Sequence, residues 1–202
     1  MELLIFLGFS GGFWVLRTRE QQQRIALLSR HLAQFDIEKL METLLLGSLR
    51  ALGEDNPERQ AQVWEHLRQH EERLSDQFQQ FSKSFGGVWA DDALISTLPI
   101  SFPRSTKIWP RATFDARAAF AIHAQGISDA ALSNEGLNAK ERAFRLSAEM
   151  LLMQHTCHWF CRSKTVASAR LLARHQTHYQ QALDAVSPST RQKYLALTKS
   201  PT

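Results

Sequence analysis

The chain has 202 residues, which suits one domain with an appendage and is long enough for a sizeable hydrophobic core. Hydrophobic residues make up 44% of it and charged residues 22%, close to the usual composition of globular proteins. The 24 Lys and Arg residues exceed the 20 Asp and Glu residues by four, which gives weak support for an anionic partner such as lipid or nucleic acid. Two cysteines exclude a disulfide framework, and we expect two reduced thiols.

The first segment predicts a membrane anchor. Residues 3–16 carry no charge and are followed by Arg17, Arg19 and Arg24. The segment lacks an early positive charge and a small-residue cleavage signal, which argues against a cleaved signal peptide. Fourteen residues are short for a bilayer span, although arginine side chains can reach back to the interface. We expect residues 1–16 to form a single-pass helix that leaves the bulk of the chain in the cytoplasm. The alternative is a buried N-terminal helix of a soluble bundle.

Residues 17–202 are predicted to form an all-α bundle domain of about four long helices. Helical periodicity continues from the anchor to Leu52 without a breaker, which predicts one continuous rod ending at Gly53. Asn56 and Pro57 open the next helix as N-cap and first-turn residues. That helix carries a heptad-like seam formed by Trp64, Leu67, Glu71, Leu74, Phe78, Phe81 and Phe85.

Residues 86–112 contain two Gly, three Pro and two Trp, which rule out a long helix. We expect this Pro/Trp-rich strap to cross the bundle with its aromatic side chains in the core. Its second half alternates apolar and basic residues: Phe102, Arg104, Lys107, Ile108, Trp109 and Arg111. That mixture also suits a membrane interface. It suits single-stranded nucleic acid too, but nothing else in the chain predicts a basic groove, so no nucleic-acid partner is expected.

Two further helices complete the predicted bundle. One begins at Thr113 and carries His123 among small residues, where a neighbouring helix can approach closely. The other begins at Asn138, where Glu141 completes a capping box, and its pattern continues to Pro188. The stretch Met150–Cys161 within it has no charge and is predicted to be the central core helix, because it is apolar on almost every side.

The same stretch holds the sharpest chemical signal. Nitrogen and sulfur ligands suit zinc, and imidazole or thiolate suits haem iron. One helix cannot surround an ion, so a site needs a donor from elsewhere. The candidate metal ligands are therefore His155, His158 and Cys161 with His123 from the preceding helix. The alternative is that all four are structural side chains of the core, and no cofactor is expected. The spacing of His155 and His158 recurs at His175 and His178, which on one continuous helix lie roughly 30 Å away at the surface.

No catalytic motif accompanies this cluster. The chain has no Walker loop, no dinucleotide-binding glycines, no GxSxG and no EF-hand loop. Whether the protein is an enzyme is uncertain, and the sequence leans against it. The expected function is a structural or protein-interaction role at the cytoplasmic face of a membrane, with a protein partner or a second copy of the chain. The alternative is a metal- or haem-binding bundle that uses the histidines of the central helix.

Overall fold

The structure, a computed structural model, describes residues 2–132 and 136–199, and within them the side chains from residue 11 onward. Helix accounts for 80% of the chain and strand for 3%, which confirms the all-α prediction. The elements are α1 (Glu2–Leu32), α2 (Ile37–Leu52), α3 (Pro57–Gly86), α4 (Ala90–Ala93), β1 (Leu94–Ser96), α5 (Ser105–Ile108), a 3-10 turn (Pro110–Ala112), β2 (Thr113–Asp115), α6 (Ala116–Leu132), α7 (Ala139–Cys161), α8 (Lys164–His175), α9 (Tyr179–Ala185) and α10 (Pro188–Thr198).

Several helices begin where local signals in the sequence place them. The Asn56 side chain accepts hydrogen bonds from two backbone N–H groups in the first turn of α3. At α7, the Asn138 side chain accepts from the Glu141 N–H at 2.9 Å, while the Glu141 carboxylate accepts from the Asn138 N–H at 3.1 Å. These starts are predictable because a cap depends only on residues two or three apart.

The predicted rod from the anchor to Leu52 is wrong at residues 33–36, where the chain turns between α1 and α2. The Asp36 backbone N–H donates to Gln77 Oε1 of α3 at 2.7 Å, so a distant helix holds this turn. α2 then packs along α3 and buries Ile37, Leu40, Met41 and Leu44. Each buried side chain of this size contributes roughly 1.5–3 kcal/mol, which favours the turn over a rod that leaves them in water.

The hydrophobic core forms where α3, α6 and α7 meet. The predicted seam of α3 is confirmed from Leu67 onward, since its apolar residues are at most 2% exposed. The Phe85 ring lies edge to face with Phe120 of α6 and Phe160 of α7, at centroid distances of 4.9 and 5.6 Å. Aromatic pairs of this kind add about 0.5–1.5 kcal/mol beyond the burial of their area. Phe85 therefore ties three helices together.

Helix α7 occupies the centre of the bundle, as predicted. It contacts α1, α2, α6, α8 and α9. Within Met150–Cys161, every residue is buried except Gln154, Cys157 and His158.

The prediction that this helix continues to Pro188 is wrong, because the chain reverses after Cys161. The Ser163 side chain accepts a hydrogen bond from the Val166 N–H and caps α8, which packs back along α7. Sequence periodicity did not reveal the break, since both helices present apolar residues at the same spacing. Packing α8 on α7 buries Ala167 and Leu171, which a straight helix leaves in solvent.

The strap contains α4, β1 and α5, and its strand β1 pairs antiparallel with β2, so that Ile95 lies opposite Phe114. The predicted helix start at Thr113 is therefore wrong, and α6 begins at Ala116. Ile95 and Phe114 are buried, which fixes the strap to the bundle. The expected burial of the strap's aromatic residues is wrong for Trp89 and Trp109, which are 82% and 47% exposed. Both lie outside the paired strands, Trp89 just before α4 and Trp109 just after α5, so the strand pairing does not bury them.

The described side chains of the N-terminal segment lie outside the bundle. Phe13, Trp14, Val15 and Leu16 are 41–66% exposed, so a buried N-terminal helix does not describe them. The side chains of residues 1–10 of the predicted anchor lie outside the described part of the chain. Among the residues that are described, no helix combines the length and apolar character that crossing a membrane requires. The described helices therefore give the predicted anchor no support.

One ion pair lies inside the bundle, between α3 and α7. Arg142 Nε is 3.2 Å from Glu71 Oε2, and Glu71 is only 2% exposed. Burial raises the pKa of Glu71, and the Arg142 charge acts in the opposite direction. This pair occupies the polar position that the sequence showed in the seam of α3.

Replacing Arg142 by Met is expected to lower the free energy of unfolding by about 2–4 kcal/mol, because it leaves the Glu71 carboxylate buried without its partner. The double change Glu71→Met with Arg142→Met is expected to recover most of this loss. Urea denaturation of both proteins measures the difference. The control is Arg68→Met, which breaks the half-exposed Arg68–Glu72 pair and is expected to change stability by less than about 1 kcal/mol. A double variant as unstable as Arg142→Met contradicts this account.

Candidate functional site

The two predicted histidine ligands at the centre of the bundle are fully buried. His123 of α6 contacts Thr156 Oγ1 through Nε2 at 2.8 Å, and His155 of α7 contacts Ser168 Oγ through Nε2 at 3.0 Å. Burial lowers the pKa of each to about 3, so both rings are neutral at physiological pH. Their Nδ1 atoms have no hydrogen-bond partner. In each histidine, Nε2 therefore contacts a neighbouring hydroxyl and Nδ1 has no hydrogen-bond partner.

The other two predicted ligands lie towards the end of α7. His158 Nδ1 accepts a hydrogen bond from the Arg170 guanidinium at 3.2 Å, and burial together with Arg170 lowers its pKa to about 4. Cys161 is buried, and burial raises the pKa of its thiol to about 11. Burial also raises the pKa of Cys157. Because a protonated thiol is a poor nucleophile, neither cysteine has the environment of a reactive thiolate.

These residues do not assemble a ligand set. Among the described residues, no group of three or more His, Cys, Asp or Glu side chains is placed to hold a metal ion. The Lys164 charge near His155 also disfavours a cation there, since this ammonium lies 5.0 Å from the Tyr179 ring that packs against His155. The metal site stays a prediction that the described geometry does not support.

The reversal after α7 changes the positions of His175 and His178. The sequence placed both at the surface, far from the central histidines. Instead, α8 folds back and His175 Nε2 donates to Gln154 Oε1 of α7 at 2.8 Å. His178 stays exposed and precedes α9 as its N-cap residue. His175 thus helps to attach α8 to the central helix, which a continuous helix does not allow.

A buried hydroxyl that the sequence did not single out joins three helices. Thr156 of α7 donates to the Leu152 carbonyl at 3.1 Å, which leaves its oxygen to accept from His123 of α6 and from the Tyr194 hydroxyl of α10, both at 2.8 Å. All three side chains are 0% exposed. A threonine within an apolar helix was the available signal, but the position of Tyr194 beside it depends on the tertiary fold.

Glu149 is the most unusual ionisable group of the core. It is 0% exposed, and its Oε1 accepts from the Ser187 N–H at 3.0 Å, at the start of α10. Burial raises its pKa to about 7. A Cβ at Gly126 of α6 would overlap Glu149 Oε2 and Thr190 Oγ1, so only glycine leaves room for the carboxyl group. Glu149 therefore links α7 to the start of α10.

An open groove of about 960 Å³ lies between α2, the first half of α7 and the end of α8. Its lining is dominated by Met41, Leu45, Leu46, Leu49, Leu52, Phe144 and Leu151. Three of these side chains, Leu46, Leu49 and Phe144, are 61–67% exposed. Large apolar side chains that cluster on an exposed surface usually mark a binding site.

Charged residues border this groove on both sides. Glu38 and Glu42 lie on the α2 side, and Lys140 and Arg174 lie on the side formed by α7 and α8. Glu141 also lines the groove, but its carboxylate caps the start of α7. The two sides of the groove therefore carry opposite charge. The groove was not predicted, because helical periodicity alone does not show which apolar residues of α2 stay uncovered.

Replacing Glu149 by Gln is expected to stabilise the protein above pH 7. In the folded state the pKa of Glu149 is about 7, above its usual value, so its contribution to stability is present at low pH and lost as the pH rises through 7. The advantage of the variant over the natural protein should grow by up to about 3 kcal/mol between pH 5 and 8. Urea denaturation across this range measures it. Glu65→Gln, on the exposed face of α3, is the matched control. Parallel pH profiles for Glu149→Gln and the natural protein refute the assignment.

No protein-family model matches this chain, and neither the curated proteins nor the solved structures contain a significant match to it.

Proposed function

We propose that the protein is a membrane-attached helical bundle that binds an amphipathic helix of a partner protein in the groove between α2 and α7. The observation that carries this proposal is the row of exposed apolar side chains on α2, with Leu46 and Leu49 61% and 67% exposed. A helix that lies in an apolar groove is a common mode of protein recognition. The role is structural or adaptor-like and requires no catalytic group.

The length of the groove fits a helical ligand. Its lining follows α2 from Glu38 to Leu52, which at 1.5 Å per residue is about 21 Å, or nearly four turns. A ligand helix that fills this length presents apolar residues at positions i, i+3 or i+4, and i+7 to the leucines. Phe144 stands at the edge of the groove, 66% exposed, where such a helix would cover it.

The charges on the two sides define the ligand further. Glu38 and Glu42 attract basic residues on one flank of the ligand helix, and Lys140 and Arg174 attract acidic residues on the other. A partner helix with an apolar stripe between a basic and an acidic flank therefore fits in one orientation. A second copy of this chain is the competing occupant, and the experiment below separates the two.

The proposed membrane attachment uses the N-terminal part of α1. Residues 3–16 carry no charge, and Phe13, Trp14, Val15 and Leu16 are exposed. Arg17 and Arg19 follow immediately, as expected for the cytoplasmic end of a single-pass segment. The apolar stretch is about 21 Å long, short of the roughly 30 Å hydrocarbon layer, so local thinning and arginine side chains have to cover the difference.

A photo-crosslinking amino acid at Leu49 is expected to yield, in cells, one major adduct with a different protein in the membrane fraction. Mass spectrometry should place the crosslink in an amphipathic helix with flanks of opposite charge. A synthetic peptide of that segment should then bind the purified protein, and Leu49→Glu should weaken the binding at least about tenfold, because it places a charge against the apolar stripe.

The matched control carries the same crosslinker at Trp89, which is 82% exposed on the strap, away from the groove lining. The adduct should be absent there. An adduct only with a second copy of this chain, or equal labelling at both positions, contradicts the proposed partner.

Deleting residues 2–16 is expected to release the protein from membranes. The full-length chain should stay in the pellet after carbonate extraction. The shortened chain should move to the supernatant and lose only the helical circular-dichroism signal of the deleted part of α1. A full-length chain found in the soluble fraction of gently lysed cells would rule out membrane attachment, with no consequence for the groove.

A further inference from the structure

The strap lies directly against the base of the exposed N-terminal segment. Phe102 packs edge to face on Phe13 of α1 at 6.4 Å and on Trp109 at 6.2 Å, which makes a continuous row of aromatic rings from the helix to the strap. The Arg104 backbone N–H donates to Glu20 Oε2 of α1 at 2.8 Å. This bond holds the strap to α1 through a residue in the left-handed conformation, with φ of 56°.

The outer side of the strap is apolar and unprotected. Ile108 and Trp109 are 58% and 47% exposed, and Ile100 is 51% exposed. Trp109 connects with the exposed N-terminal residues of α1 through Phe102, which contacts both Trp109 and Phe13. A tryptophan and an isoleucine in this position resemble the residues that sit at the boundary between lipid and water.

Between α1 and the strap lies a second groove, of about 570 Å³, with several cations. Arg24 is already occupied, because its guanidinium donates to the carbonyls of Leu94 and Phe160 and pairs with Glu20. By contrast, the side chains of Arg19, Arg104 and Lys107 have no ion-pair partner within the described part of the chain. They are exposed and are free to receive an anion.

Two carboxylates also line this groove and oppose anion binding. They are Asp91 and Asp92, in the first turn of α4. Glu20, the third acidic residue of the lining, is engaged by Arg24 and by the Arg104 backbone. The three unpaired cations still outnumber these two exposed carboxylates. Like the exposed aromatic residues, they lie on α1 and the strap.

We propose that Arg19, Arg104, Lys107, Ile108 and Trp109 form a collar that binds the anionic headgroups of a lipid bilayer. The apolar residues enter the interface and the three cations contact lipid phosphates, each of them contributing about fivefold in affinity. This inference rests on the proposed membrane attachment and adds a preference for anionic lipid. A membrane is favoured over single-stranded nucleic acid because only a bilayer also covers the exposed Phe13–Leu16 surface.

The test is flotation of the full-length protein with two kinds of vesicle, pure phosphatidylcholine and phosphatidylcholine with about 30% phosphatidylglycerol. The natural protein is expected to bind the anionic vesicles more tightly. Arg104→Gln with Lys107→Gln should weaken binding to them about 25-fold and leave binding to neutral vesicles unchanged. The matched control is Arg59→Gln with Arg73→Gln, the same change of charge on the exposed face of α3, and it should have little effect.

Three results would overturn the collar. They are equal binding to both kinds of vesicle, an equal loss in the control pair, and release of the protein from anionic vesicles by inorganic phosphate or by single-stranded DNA at physiological salt. The last indicates a free-phosphate or nucleic-acid site. A protein that floats with neither kind of vesicle refutes the membrane attachment itself, whereas equal binding to both refutes only the collar.

Discussion

The enclosure of α7 by its neighbouring helices is the constraint on which the rest of the structure depends. Most polar side chains on an enclosed helix find at least one partner inside the protein, because a buried polar group without a hydrogen bond is costly. Glu149 takes the Ser187 N–H and so fixes the start of α10, and Trp159 Nε1 donates to the Ser96 carbonyl and fixes β1. The polar side chains of α7 thereby determine where its neighbours attach.

The same enclosure decides the chemistry of the histidines and cysteines. Removal from water favours the neutral form of every titratable group, so His123 and His155 stay uncharged and the Cys161 thiol stays protonated. Hydroxyl partners on α7 and α8 then hold the two imidazoles in place. Both histidines thus take hydroxyl partners within the bundle, and the exposed surfaces carry the functional proposals.

Those surfaces exist because two helices are only partly covered. α2 has two apolar stripes. One, from Ile37 to Leu44, packs on the bundle, while Leu46 and Leu49 face the open groove beside α7. α1 packs through its second half and leaves Phe13–Leu16 in solvent next to the strap. In both cases the burial of apolar area is incomplete within one chain, which is the physical reason to expect a partner helix in one place and a lipid surface in the other.

The sequence by itself determined the features that depend on residues close to one another along the chain. It determined the helical class, the caps at Asn56 and Asn138, the buried seam of α3 and the central position of Met150–Cys161. Only the tertiary structure decided the turns at residues 33–36 and after Cys161, the pairing of β1 with β2, and the meeting of Thr156 with Tyr194. Periodicity records which side of a helix is apolar, but not which other helix covers it. For that reason the reversal of α8 and the open side of α2 became visible only when the helices were packed together.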